Sequence, residues 1–245
     1  MSRSTGADLS IERLAVRYGG VAALEDVSLR VPAGTVVGLI GPNGAGKTSL
    51  INAVTGVVRA SAGSITLGAE RLERLPQYAV ARRGVARTYQ NIRLFAALSV
   101  ADNVRAGAVR LRGALDDAAV RALLERAGAS EADLGARAGS LPYGMQRRLE
   151  IARALAGKPA VVLLDEPAAG MNPHETGELR AVIRNVAASG AGVLLVEHDM
   201  GLVSAVCDRL VVLNFGRTLA EGTPAEVARD PAVIEAYLGT TAQIA

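Results

Sequence analysis

The chain has 245 residues, half of them hydrophobic, with seven aromatic side chains and a net charge of +3. That length allows one large domain or two small ones around a substantial core. No apolar run approaches the roughly 20 residues that span a bilayer, the charges are interleaved rather than gathered into a nucleic-acid-binding stripe, and the lone Cys207 excludes an internal disulfide.

Residues 1–8 are small and polar, and a frayed terminus is expected there. The opening Met1–Ser10 lacks the basic-then-apolar layout of a signal peptide, so a cytoplasmic protein is expected. Two strand-like runs follow, Leu9 to Arg17 and Leu24 to Val31, separated by the turn signal Tyr18-Gly19-Gly20. Tyr18 has two readings, an edge-strand residue or a ring that stacks on a base. The apolar run Val36 to Ile40 then leads into Gly41-Pro42-Asn43-Gly44-Ala45-Gly46-Lys47-Thr48, and Leu50, Ile51 and Val54 share one helical face beyond it. Strand, glycine-rich loop and helix in that order make a phosphate-binding loop. Its glycines turn successive N–H groups from Gly44 to Thr48 into one concavity at the positive end of the helix dipole. Lys47 would reach the β- and γ-phosphates, and the Thr48 hydroxyl would face Mg²⁺. Of the 27 basic residues only Lys47 and Lys158 are lysines. Lysine persists here because a compact ammonium fits among phosphate oxygens better than a guanidinium fork.

Short strands are expected at Ser64–Leu67 and Gly84–Tyr89, with Arg82 and Arg83 between them and Gln90 at the end of the second. From Asn91 to about Gly157 the period changes to three or four. One helix opens at Asp116 and Asp117, places Val120, Leu123, Leu124 and Ala127 on one face and ends at Gly128, and a second follows Gly144. The α/β character then returns. The continuous apolar run Val161 to Leu164 predicts a strand buried on both faces, ending at Asp165-Glu166. Asn172-Pro173 is an N-cap with proline at the first helical position, and Gly192 to Val196 is a further buried strand ending at Glu197-His198-Asp199. A strand pair, Arg209–Asn214 and Thr218–Glu221, and a helical region from Pro224 to Leu238 complete the chain.

The phosphate loop, Gln90, Asp165, Glu166 and His198 all fall at the carboxyl ends of expected strands, the edge of a parallel sheet where ligands bind. Phosphoryl transfer to water needs a metal on the phosphates, a carboxylate to hold it and a group to orient or deprotonate the water. Asp165 suits the metal and Glu166 the water, Gln90 can bridge both, and His198 can donate to the γ-phosphate. A GTPase is excluded by the lack of an Asn-Lys-x-Asp run.

Taken in order, these motifs resemble the ATP-binding cassette (ABC) ATPases over about residues 9 to 240. The resemblance implies an α/β P-loop NTPase (RecA-like) core, residues 1–90 and 158–245, with an N-terminal antiparallel β part and an inserted α-helical subdomain at 91–157. It implies Mg²⁺ held by Thr48, Gln90 and Asp165, and catalysis by Glu166, His198, Gln90 and Lys47. ATP would be held by Tyr18, by Gly41, Asn43, Gly44, Ala45, Gly46, Lys47, Thr48 and Ser49, and by Gly144 of an opposite subunit. Leu141-Pro142-Tyr143-Gly144-Met145 stands where the family has its Leu-Ser-Gly-Gly-Gln signature, and Pro142 lacks the serine's hydroxyl and N–H. Asn172 replaces the D-loop aspartate.

Within the family the chain is most similar to the cytoplasmic ATPases of branched-chain or hydrophobic amino-acid importers, through Arg87 to Phe95, Tyr143-Gly144 with its Arg-Arg-Leu-Glu run, Asp165 to Pro173, and Gly222-Thr223-Pro224 with Val233 to Gly239. The short insertion leaves relatives that handle urea, short amides or another solute open. The resemblance implies a second ATPase subunit, different or identical, membrane permease subunits docking at Gln90 to Phe95, and an external binding protein acting indirectly. Leu94 and Phe95 fit such an interface or ordinary packing of the insertion. Cassettes working on DNA or ribosomes carry two cassettes or a long coiled coil, neither present here, and an inactive cassette would be expected to lose Lys47 or Glu166.

Overall fold

The computed structural model describes residues 6–108 and 115–241, so most of the terminus expected to fray, residues 1–5, lies outside the described residues. β1 (Leu9–Tyr18) and β2 (Val21–Val31) form an antiparallel hairpin closed by Gly19 at φ +58°, a left-handed turn position that costs glycine nothing. β3 (Val36–Ile40) is buried at every position and feeds the phosphate loop into α1 (Lys47–Val54). β4 (Ala62–Leu67) and the short β5 (Glu70–Arg71) extend the hairpin into a four-stranded antiparallel sheet ordered β2-β1-β4-β5.

Arg82 and Arg83 lie not in a connection but on α2 (Gln77–Arg83), which starts after Pro76 and ends at Gly84 with φ +111°. The helix is too short for a period to show, because Val80 alone is buried in it. β6 (Val85–Arg87) is consequently shorter than expected. Gln90 therefore sits in a bend beyond the strand rather than at its end.

Among the described residues, three α-helices and a short 3-10 turn, Ala138–Ser140, fill the segment before the next strand. α3 (Val100–Ala106), not separately anticipated, is capped by the Ser99 hydroxyl, which accepts from the Asp102 N–H at 3.0 Å. α4 (Asp117–Arg126) is capped by Asp116, which accepts from the Ala119 N–H at 2.8 Å. α5 (Tyr143–Leu155) begins one residue before Gly144, with Pro142 in the cap position and no side-chain cap.

β7 (Val161–Asp165) is buried throughout. Val162 and Leu164 pack on one side of the sheet and Val161 and Leu163 on the other, which is why the run carries no polar alternation. α6 (Pro173–Ala188) opens with a capping box: Asn172 accepts from the Glu175 N–H at 3.0 Å, and Glu175 accepts from the Asn172 N–H at 2.9 Å. β8 (Gly192–Val196), α7 (Met200–Val206), β9 (Arg209–Asn214) and β10 (Arg217–Gly222) follow. The terminal helical region is two helices, α8 (Pro224–Val227) and α9 (Pro231–Thr241), because Pro231 restarts the helix. The second sheet has the order β10-β9-β3-β8-β7-β6, parallel except for β10 at the edge. Among the described residues, no helix is long and apolar enough to cross a membrane.

Candidate functional site

The phosphate loop is held open by its glycines. Gly41, Gly44 and Gly46 have φ of +146°, +80° and +106°. A Cβ on Gly41 would meet the Leu213 carbonyl oxygen at 2.1 Å, and one on Gly46 would meet the Ala23 carbonyl oxygen at 2.8 Å. Gly41 also cannot be replaced without backbone movement, so the glycine pattern is a packing requirement as well as a ligand one. Lys47 folds back over the loop and donates to the Gly41 and Pro42 carbonyls at 2.6 and 3.0 Å. Burial pulls its pKa down, and Glu166 and Asp165 partly restore it. These carbonyls hold the ammonium in the concavity that phosphate oxygens would enter.

A cavity of about 180 Å³ brings Lys47, Thr48, Gln90, Asp165 and Glu166 together. Gln90 donates through Nε2 to Glu166 at 2.7 Å. Glu166 has φ +46°, a left-handed conformation that a side chain of this size adopts at a cost and that recurs at functional sites. Asp165 is buried and paired with Arg87 at 2.8 Å through Oδ2, and Arg87 is itself steadied by Asn52 at 2.8 Å. Among the described residues no group of three His, Cys, Asp or Glu side chains could hold a metal. One carboxylate with a hydroxyl and an amide nonetheless fits Mg²⁺, which keeps waters and shares its shell with nucleotide phosphates.

A larger cavity of about 460 Å³ opens from the same loop. Asn43 to Ser49, which include Ala45, line it together with Val21, Ala22, Ala23, Glu166 and Phe215. Four expected residues line neither cavity, the first being Gly41, packed against the Leu213 carbonyl. Tyr18 ends β1 at 46% exposure, while its cross-strand partner Val21 lines the wall. His198 follows β8 with its side chain 71% exposed, its ring nitrogen 3.8 Å from Glu197. Gly144 lies at the start of α5 against α6, where a Cβ would meet Glu175 Oε1 at 2.3 Å.

Two functional groups were not anticipated. Glu197 is buried and accepts from the Ala168 N–H at 2.9 Å and from the His198 N–H at 3.2 Å, tying the loop after β7 to the loop after β8. Its signal in the sequence was its position directly after a fully buried strand. Arg147 is fully buried on α5 and donates to the Tyr89 carbonyl at 2.5 Å, the Gln90 carbonyl at 2.6 Å and Glu150 at 2.9 Å. Its burial is not marked locally, because the carbonyls it binds lie 57 and 58 residues away in the chain.

A phosphate loop at the end of β3, carboxylates at the end of β7 and a glutamine from the loop after β6, all at one edge of a parallel sheet, define a P-loop nucleotide hydrolase. The family model for the ABC transporter matches residues 24–169, and that for the branched-chain amino acid ATP-binding cassette transporter matches residues 217–243. The chain is 41% identical to the high-affinity branched-chain amino acid transport ATP-binding protein BraF of Pseudomonas aeruginosa, over 94% of this chain and 97% of that one. It is 42% identical to LivG of Escherichia coli K12, a protein of the same description, over the same shares. The solved ADP conformation of MJ1267, an ATP-binding cassette of an ABC transporter, superposes with a TM-score of 0.85 at 28% identity, covering 95% of this chain and 99% of that one. The chain belongs to the ABC transporter ATP-binding family.

Proposed function

We propose that this chain is the ATP-hydrolysing subunit of an importer for branched-chain or other hydrophobic amino acids. The convergence of Lys47, Thr48, Gln90, Asp165 and Glu166 on one cavity carries the hydrolytic part of the reading, and the similarity to BraF and LivG carries the solute. Residues 1–245 act as one cassette in this reading.

Lys47 and the loop N–H groups bind the phosphates of ATP, and Thr48, Gln90 and Asp165 would hold Mg²⁺, whose charge offsets that of the transferring phosphoryl group. Glu166 orients the attacking water and takes up its proton, while Gln90, bonded to Glu166, sets where that water sits. His198 donates to the γ-phosphate once its exposed ring is turned inward. Gly144, outside its own chain's cavity, serves the ATP of a second ATPase subunit, so each site is complete only when two subunits close. Pro142 leaves the signature helix without a capping hydroxyl, and the composite site that it completes is the weaker of the two.

A groove of about 380 Å³ lined by Tyr89, Arg93, Phe95 and Arg153 lies beside the Gln90 loop. It is the docking place for the membrane permease subunits, which holds the chain at the cytoplasmic face of the membrane, with an external solute-binding protein acting only through them and no nucleic acid involved. Substituting Glu166→Gln tests the enzyme: ATP binding persists and turnover is lost. Uptake of labelled leucine, urea and a short amide by the assembled complex, with and without this chain, tests the solute. Leucine uptake dependent on the chain supports the reading, and dependence of urea alone overturns it.

A further inference from the structure

Phe215 is the most exposed large apolar side chain among the described residues, at 89%. Its backbone is at φ +46°, a region where a bulky residue is a genuine outlier. The turn carrying it is nevertheless fixed to the phosphate loop: the Gly216 N–H donates to the Ala45 carbonyl at 3.0 Å, and the Gly216 carbonyl accepts from the Glu25 N–H at 2.8 Å. An aromatic ring is thus held in water, in a conformation it does not favour, at the rim of the phosphate cavity.

That cavity has two chemically different ends. One is the loop itself, with its N–H groups and Lys47. The other is apolar, made by Val21, itself 69% exposed, Ala22, Ala23 and Phe215. A ligand matching both ends is anionic at one end and flat and aromatic at the other. We propose that Phe215 is a nucleotide-binding residue whose ring packs on the base of the bound nucleotide, over the floor formed by Val21 to Ala23. The proposal rests on the nucleotide reading of the site and assigns the base contact to the β9–β10 turn in addition to the β1–β2 hairpin that carries Tyr18.

The chain contains no tryptophan, so Phe215→Trp places a single indole reporter at this position. Titrating the purified variant with ADP is expected to shift its emission, saturating at the concentration where a fluorescent ADP analogue is displaced, whereas pyrophosphate produces no shift. Phe215→Ala is expected to weaken ADP binding about fivefold or more, the scale of one lost base–aromatic stack, and to leave pyrophosphate binding unchanged. Phe215→Asn, which tolerates left-handed backbone, shows the same loss if the ring and not the turn is responsible. ADP affinity within twofold of the parent in both variants, or emission at position 215 indifferent to saturating ADP, overturns the proposal. Absence of ADP binding to the unsubstituted chain overturns the nucleotide reading beneath it.

Discussion

Single side chains carry much of the coupling in this molecule. Arg147 and Glu150 form a fully buried pair whose remaining hydrogen bonds go to the Tyr89 and Gln90 carbonyls, to the Tyr143 hydroxyl at 3.2 Å and to the Arg93 N–H at 3.1 Å. The signature helix is thereby fastened to the loop that supplies Gln90. Burial raises the pKa of Glu150 against the pull of the Arg93 N–H and the nearby arginines. Removing the arginine leaves that buried carboxylate with only Arg153, at 3.7 Å, as a charged partner, so Arg147→Met is expected to cost about 3 kcal/mol in urea unfolding. Arg147→Met combined with Glu150→Leu should recover most of it. Glu197 sets a pH dependence: burial raises its pKa, and the Ala168 and His198 N–H groups lower it less. The folded chain therefore keeps a proton at pH values where the unfolded chain has lost it, and stability falls as pH rises from the ordinary carboxylate range through the raised value. Urea midpoints measured at pH 5 and pH 7 should differ less in Glu197→Gln than in the parent. An undiminished slope would remove Glu197 as its source.

At the scale of elements, legibility followed length and local signals. α6 was readable from Asn172-Pro173 because its cap is built from neighbours in sequence, and Asn172→Ala should lower stability by about 1 kcal/mol with an unchanged denaturant slope. β7 and β8 were readable because each carries four consecutive aliphatic residues, Val161 to Leu164 and Val193 to Val196, with no polar alternation. α2 and α3, at seven residues each, are too short to establish a period, although Ser99 caps α3 and Gly84 ends α2 locally. α5 lacks a side-chain cap at Pro142, so Pro142→Ser should raise both helix stability and the ATPase rate of the assembled complex. An unchanged rate would remove Pro142 as the cause of a weaker site.

For the whole molecule, the proposed function makes Gly144 complete the phosphate site of a second subunit. Gly144 stays outside its own phosphate cavity while Lys47, Gln90 and Glu166 line it. ATPase activity per chain should accordingly rise with chain concentration until dimers are saturated, where a self-sufficient monomer would show a constant specific rate. By itself the sequence determined the phosphate loop, the two carboxylates after β7, the glutamine and the α/β order, because each depends on residue type and spacing along a few neighbouring positions. Only the tertiary structure decided that Arg87 pairs with Asp165, that Arg147 and Glu197 are buried connectors, and that Phe215 rather than Tyr18 lines the cavity. Those facts arise from contacts between elements distant in the chain, whose burial and charge compensation leave no periodic trace in any one segment.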